Sequence, residues 1–102
     1  MHRYVKVADV VAQLHVDPEF LHSLEAQNVI ELKRTLDGDL VMSGDDAERV
    51  RVAVLLATEL EVNIPGVEVI MHMRDTMHAM QQQFSEILDA LVEELRRQLP
   101  QR

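Results

Sequence analysis

The chain has 102 residues, of which 47% are apolar, and it carries a formal net charge of −8 and no cysteine. This length fits one domain with one long helical extension, and the missing cysteines exclude a disulfide framework and a thiolate metal site. An acidic balance favours a basic protein partner over a phosphate backbone. The first residues are not followed by an apolar signal core, so we expect a soluble, cytoplasmic protein.

The first third of the sequence predicts a helix-turn-helix. Residues 6–14 form a first helix, because apolar side chains recur on one face: Val7, Val10, Val11 and Leu14. Asp17 is a suitable N-cap for a second helix, which runs from about Pro18 to Gln27 with Glu19 in its first turn. Its inward face is apolar and consists of Phe20, Leu21 and Leu24.

A β-hairpin and a third helix are expected next. Val29–Thr35 and Leu40–Met42 predict two strands, and the intervening Asp-Gly pair is a strong hairpin signal. Ser43 is expected to cap a third helix by accepting from the amide near Asp46. That helix is apolar on most sides, which predicts a central position in the core. Pro65 then predicts a break before the last helix.

The last segment, to residue 99, predicts one helix of about 34 residues and roughly 50 Å. Its apolar residues alternate at three- and four-residue spacings, which is typical of a coiled-coil seam. This seam comprises Ile70, Met73, Met77, Met80, Phe84, Ile87 and Leu91. The small chain cannot cover so long a stripe, so we expect a homodimer through this helix. The nearby methionines, including Met71, could instead form an adaptable binding face, but a dimer core is the simpler interpretation.

The order of these parts resembles the MerR superfamily. The resemblance is most specific in the segment E-L-E-V-N-I-P-G-V, which contains Glu59, Leu60, Asn63, Pro65 and Gly66. This segment is similar to that of the CbpM chaperone modulators and the HspR heat-shock repressors. The resemblance implies a mainly α fold: a MerR-like winged helix-turn-helix with a small β-hairpin wing over residues 1–62, and a long C-terminal dimerisation helix over residues 63–102. It also implies that the two helices of the dimer run antiparallel, which the heptads do not decide.

The second helix distinguishes the two branches. DNA-binding members of the superfamily typically carry a basic, aromatic second helix, whereas residues 17–28 here contain no Lys or Arg. Phosphate contacts come chiefly from cations, hydroxyls and backbone amides, so specific DNA binding is not expected. The resemblance to CbpM then implies a homodimer that binds, and restrains, the J-domain of a CbpA- or DnaJ-type co-chaperone. The predicted partner-binding residues are Asp17, Glu19, His22 and Glu25. The alternative is a MerR- or HspR-like DNA-binding transcriptional regulator.

Other candidate sites are weaker. Lys33 and Arg34 on the hairpin could hold a phosphate, but two basic residues are a weak signal and a solvated hairpin tip is the preferred interpretation. His72 and His78 are six residues apart, which does not place them on one helical face, and no metal site is expected. The sequence contains no nucleophile–base spacing and no Gly-rich phosphate loop, so we expect neither an enzyme nor a cofactor. The charged long helix predicts no membrane span.

Overall fold

A computed structural model describes residues 3–99. In chain order they form β1 (Tyr4–Lys6), α1 (Val7–Leu14), α2 (Pro18–Ala26), β2 (Lys33–Arg34), β3 (Leu40–Ser43), α3 (Gly44–Glu59) and α4 (Ile64–Gln98). This is the mainly helical winged helix-turn-helix that the sequence predicts, with a small antiparallel sheet and a long C-terminal helix. The chain divides into two compact units, and the boundary lies between His72 and Met73.

The helix-turn-helix is set by local sequence. Helix α1 ends at His15, whose backbone is left-handed with φ of 55°. The predicted N-cap of α2 is confirmed, because Asp17 Oδ1 accepts a hydrogen bond of 3.0 Å from the amide of Glu19. Helix α1 begins and α2 ends within one residue of the predicted positions.

The sheet has three strands, in the order β1-β3-β2, and not the predicted two. Strand β1 was not predicted, because three residues show no periodicity and its partner lies far away in the sequence. Val5 pairs with Met42 across the antiparallel β1–β3 ladder. The amide of Gly44 also donates to the Arg3 carbonyl at 2.9 Å, so the edge strand is held by backbone bonds at both its ends.

The first predicted strand of the wing is much shorter than expected. Only Lys33–Arg34 is a strand, whereas the prediction began at Val29. Val29 and Ile30 are instead buried in the core, and the Val29 amide donates to the carbonyl of Leu24 at 2.9 Å. The wing turns at Gly38, whose φ of 88° suits a residue without a Cβ.

The core lies within the first unit. Its buried cluster takes side chains from all four helices and from β3: Val10, Val16, Leu21, Leu24, Val29, Ile30, Met42, Val50, Ala53, Val67 and Met71. Helix α3 contributes Val50 and Ala53, both fully buried, in agreement with its predicted central position. Burying a large aliphatic side chain contributes about 1.5–3 kcal/mol, so these contacts hold the helix-turn-helix, the wing and the first turns of α4 together.

The junction before α4 is closely packed. The Asn63 side chain caps the helix by accepting from the Gly66 amide at 2.9 Å. Pro65 is the second residue of α4, so it falls in the first turn, whose amides have no intrahelical partner. A Cβ added to Gly66 would lie 2.7 Å from Val62 Cγ1 and 3.0 Å from Asn63 Oδ1. A glycine is therefore required here because Val62 and Asn63 lie so close, and not because of its backbone angle φ.

The second unit is one continuous part of α4. From Met73 to Leu99, every apolar side chain is exposed within the single chain. At 1.5 Å per residue, the helical part of this unit is about 39 Å long. This stretch has no core of its own, in contrast to the first unit.

Replacing Gly66 by Ala should lower the free energy of unfolding by about 1–3 kcal/mol, the usual cost of overpacking. The added methyl must displace the β-branched Val62 side chain or the capping Asn63 side chain. Urea denaturation followed by circular dichroism measures the change. Gly44→Ala is the matched control, because its Cβ would meet nothing closer than the Arg3 carbonyl at 3.8 Å. Equal stability of the two variants would contradict the steric argument.

Candidate functional site

Helix α2 presents one face to solvent because its other face is buried. The side chains of Leu21 and Leu24 are buried, with 2% and 0% of their surface exposed. Their burial fixes the rotation of the helix about its axis. At 100° per residue, Glu19 and Glu25 lie about 60° on either side of His22. Glu19 and His22 are exposed, and Glu25 is half-buried. We call the surface formed by these three residues the α2 face.

The four predicted partner-binding residues are thus partly brought together. Glu19, His22 and Glu25 share the α2 face, whereas Asp17 lies before the helix and uses one carboxylate oxygen as the N-cap. No Lys or Arg occurs between Asp17 and Asn28, so the face carries two carboxylates and no permanent cation. This geometry permits contact with a basic surface but leaves no group that could neutralise a phosphate.

The loop after α2 is held by an arginine. Arg49 on α3 donates from Nε to the Val29 carbonyl at 2.6 Å. Asn28, with φ of 60°, turns the chain so that Val29 and Ile30 enter the core. Arg49 therefore supports the helix-turn-helix from inside. The sequence alone does not indicate this role, because no local pattern connects Arg49 with a carbonyl twenty residues earlier.

The cations of the wing have partners within the chain. Lys33 Nζ lies 3.4 Å from the Tyr4 hydroxyl and 5.6 Å from the centre of its ring. Arg34 donates to the Gly38 carbonyl at 2.8 Å. The hydrogen bond to Tyr4 raises the pKa of Lys33, with smaller contributions from Tyr4 and Glu31 charges. Both cations are therefore oriented by groups of the chain itself: Lys33 by Tyr4 on β1 and Arg34 by the Gly38 carbonyl at the turn of the wing.

The negative charge is concentrated in the first unit. Residues 1–72 contain six Lys and Arg against thirteen Asp and Glu, so they hold −7 of the chain's −8. Residues 73–102 contain four basic and five acidic residues. The unit with the helix-turn-helix is therefore the one that attracts cationic partners most strongly.

A groove of about 420 Å³ opens beside α2. It is formed by α1, α2 and the wing, and seven of its ten lining residues are apolar: Val7, Ala8, Val11, Pro18, Leu21, Leu32 and Leu40. The other three are Lys6, His22 and Asp39. His22 thus belongs both to this groove and to the α2 face. No sequence pattern indicated the groove, because its walls come from three separate elements.

The second unit carries the predicted dimer seam on its surface. Along 73–99 the exposed large apolar residues recur at three- or four-residue spacings, with two adjacent pairs at 87–88 and 91–92: Met73, Met77, Met80, Phe84, Ile87, Leu88, Leu91, Val92, Leu95 and Leu99. Ile70, the first residue of the predicted seam, lies in the first unit and is 37% exposed. An uninterrupted apolar stripe of this length is typical of a protein-interaction surface.

Within residues 3–99, no group of three or more His, Cys, Asp and Glu side chains is arranged to hold a metal ion. Over the same residues, no helix combines the length and apolar composition that a bilayer span requires.

Comparison with known proteins identifies the family. The family model described as "MerR HTH family regulatory protein" matches residues 5–89, which include the sheet, the helix-turn-helix and most of α4. The chain has no significant match among curated proteins or among solved structures. Because the match covers most of the chain, this protein belongs to the MerR helix-turn-helix family of regulatory proteins.

Proposed function

We propose that this protein is a homodimeric modulator, and an inhibitor, of a DnaJ- or CbpA-type co-chaperone, and that it binds the J-domain through the α2 face. The observation that carries the proposal is the composition of that face. Glu19 and Glu25 flank His22 on the exposed side of α2, and no Lys or Arg accompanies them. The helix that a DNA-reading relative would place in the major groove is here acidic.

The same face argues against DNA as the partner. A recognition helix approaches two phosphate backbones, and its carboxylates would meet like charge there. The basic residues of the wing are few and are oriented toward Tyr4 and the Gly38 carbonyl. The net charge of −7 on residues 1–72 adds a repulsive field over the whole unit.

A J-domain is complementary to this surface. The resemblance to CbpM proteins points to it, because J-domains present a basic helix to Hsp70. Opposite charges across an interface mainly raise the association rate and select the partner. Binding of that helix by the α2 face would compete with its use by Hsp70, which gives a simple mechanism for inhibition.

The homodimer follows from the apolar stripe of the second unit. A second copy supplies an identical stripe. Residue i of one helix can then pack on residue j of the other, while residue j of the first helix packs on residue i of the second. Burial of about ten apolar side chains per copy would remove the exposure seen from Met73 to Leu99. Two helix-turn-helix units in one dimer could bind two J-domains.

Met77→Glu should convert the dimer to a monomer, because it would bury an unpaired carboxylate in the seam. Sedimentation velocity at micromolar concentration measures the outcome. Gln82→Glu is the matched control, since Gln82 lies on the opposite side of α4 from the stripe and should leave the dimer intact. A monomeric wild-type protein at the same concentration would refute the homodimer.

Specific DNA binding should be negligible at physiological salt. The measurement is a mobility shift with the promoter region of the gene, carried out with excess nonspecific competitor and at a stated salt concentration. Poly-anionic competitor should remove any complex formed at low salt. A shift that persists with competitor would instead establish the DNA-binding regulator as the function.

Glu19→Lys combined with Glu25→Lys should weaken J-domain binding and reduce its salt dependence, since attraction is replaced by repulsion. A single exposed charge pair contributes only about 0.2–1 kcal/mol, so the double variant is needed. Calorimetry at low and moderate salt measures the affinity, and a circular dichroism melt checks the fold.

Glu59→Lys with Glu61→Lys is the control for this test. It makes the same change in net charge at exposed residues outside the α2 face. It should retain more affinity than the α2 variant. Equal loss in both would show that only overall charge matters, and unchanged affinity in the α2 variant would place the contact elsewhere.

A further inference from the structure

We propose that the groove formed by α1, α2 and the wing is the anchor point for the partner, and that it takes an apolar side chain from a segment rich in Lys and Arg. This inference rests on the proposed function for the identity of the partner, but it adds a second part to the binding site. The α2 face then supplies charge complementarity, and the groove supplies apolar contact.

The size and lining of the groove fit an apolar anchor. Its volume of about 420 Å³ is within the usual range of about 300–1,000 Å³ for binding pockets. Leu21 forms a fully buried wall, whereas Ala8 and Pro18 remain exposed at the edges. Binding energy at protein interfaces is commonly concentrated in a few side chains that fill well-packed, desolvated pockets.

The edge of the groove is arranged to accept a cation. Lys6 Nζ and Asp39 Oδ2 are 3.8 Å apart, and their side chains are 62% and 51% exposed. So long and exposed an ion pair contributes little, so Asp39 can exchange Lys6 for a Lys or Arg of the partner at small cost. His22 joins this edge to Glu19 and Glu25 on the α2 face.

The charges favour a basic peptide segment over other occupants. The lining contains no hydroxyl or amide side chain, so it offers little to orient a polar small molecule. A second copy of the chain is disfavoured here, because each copy carries −7 on residues 1–72 and like charges would face one another. A segment with an apolar residue between Lys or Arg residues satisfies both the groove and its surroundings.

The test fills the groove without changing the α2 face. Ala8→Leu places a larger side chain at an exposed wall of the groove, and it keeps good helix propensity. Ala12→Leu is the matched control, because Ala12 is equally exposed on α1 but lines a different depression. Asp39→Asn, compared with Asp37→Asn at the wing tip, tests the cation contact without adding bulk. Circular dichroism melts check that all four variants fold.

Two probes are used with these variants: the isolated J-domain of the organism's DnaJ-type co-chaperone, and a phage-displayed library of random 12-residue peptides. Ala8→Leu should weaken J-domain binding at least tenfold, and Asp39→Asn by about two- to fivefold. Ala12→Leu and Asp37→Asn should bind like the wild type. The library should enrich peptides in which an apolar residue is flanked by Lys or Arg, and Ala8→Leu should lose them.

The outcomes separate the two proposals. If the wild type binds the J-domain and Ala8→Leu binds equally well, the groove proposal is wrong and the proposed function stands. If the wild type does not bind the J-domain, the proposed function fails, and the peptide library alone then tests the groove proposal. Enrichment of basic–apolar peptides that require an open groove supports it. Absence of such peptides, or their retention by Ala8→Leu, overturns it.

Discussion

The cap that Asn63 places on α4 is the contact on which the arrangement of the first unit depends. Its Oδ1 accepts from the Gly66 amide, and its carbonyl accepts from the Val67 amide, both at 2.9 Å. The missing Cβ of Gly66 leaves room for Val62 beside this cap. Helix α4 can therefore start close to the end of α3, which buries Val67 and Met71 completely.

This junction gives the family motif a physical meaning. Asn63 supplies a side-chain acceptor at the start of the helix. Pro65 lies in the first turn, where its missing N–H costs no backbone hydrogen bond, and Gly66 lets Val62 approach closely. The core then contains residues from both ends of the first unit, from Val10 to Met71. The helix-turn-helix and the first turns of α4 are thus stabilised by one cluster, and a change at the junction affects both.

Features that depend on neighbours in the sequence were predictable, and features that depend on distant contacts were not. The caps at Asp17 and Ser43 join atoms two or three residues apart, so the residue types alone identified them. Strand β1 and the buried course of Val29 depend on Met42 and Arg49, which lie far along the chain. No local pattern carries that information.

The same distinction applies to the candidate site. The α2 face followed from the sequence, because the buried positions Leu21 and Leu24 determine which residues of a helix point outward. The groove did not, because Val7, Pro18 and Leu40 come from three elements whose packing is a tertiary property. The seam of α4 was evident from its spacing, and the small size of the chain predicted that the seam is left uncovered. The structure adds where the cover ends, since Met71 is the last buried residue of the described chain.

The position of the core separates association from partner binding. All buried apolar residues of the described chain lie at or before Met71, so the first unit does not rely on the seam for its packing. Residues 73–99 have no such core, and a helix in a protein gains most of its stability from the packing of its apolar face. In the proposed homodimer, loss of the partner copy would therefore unfold part of α4 first and leave the α2 face and the groove folded. If both proposals hold, dimerisation contributes two binding sites per assembly, and each site keeps its own intrinsic affinity for a basic segment.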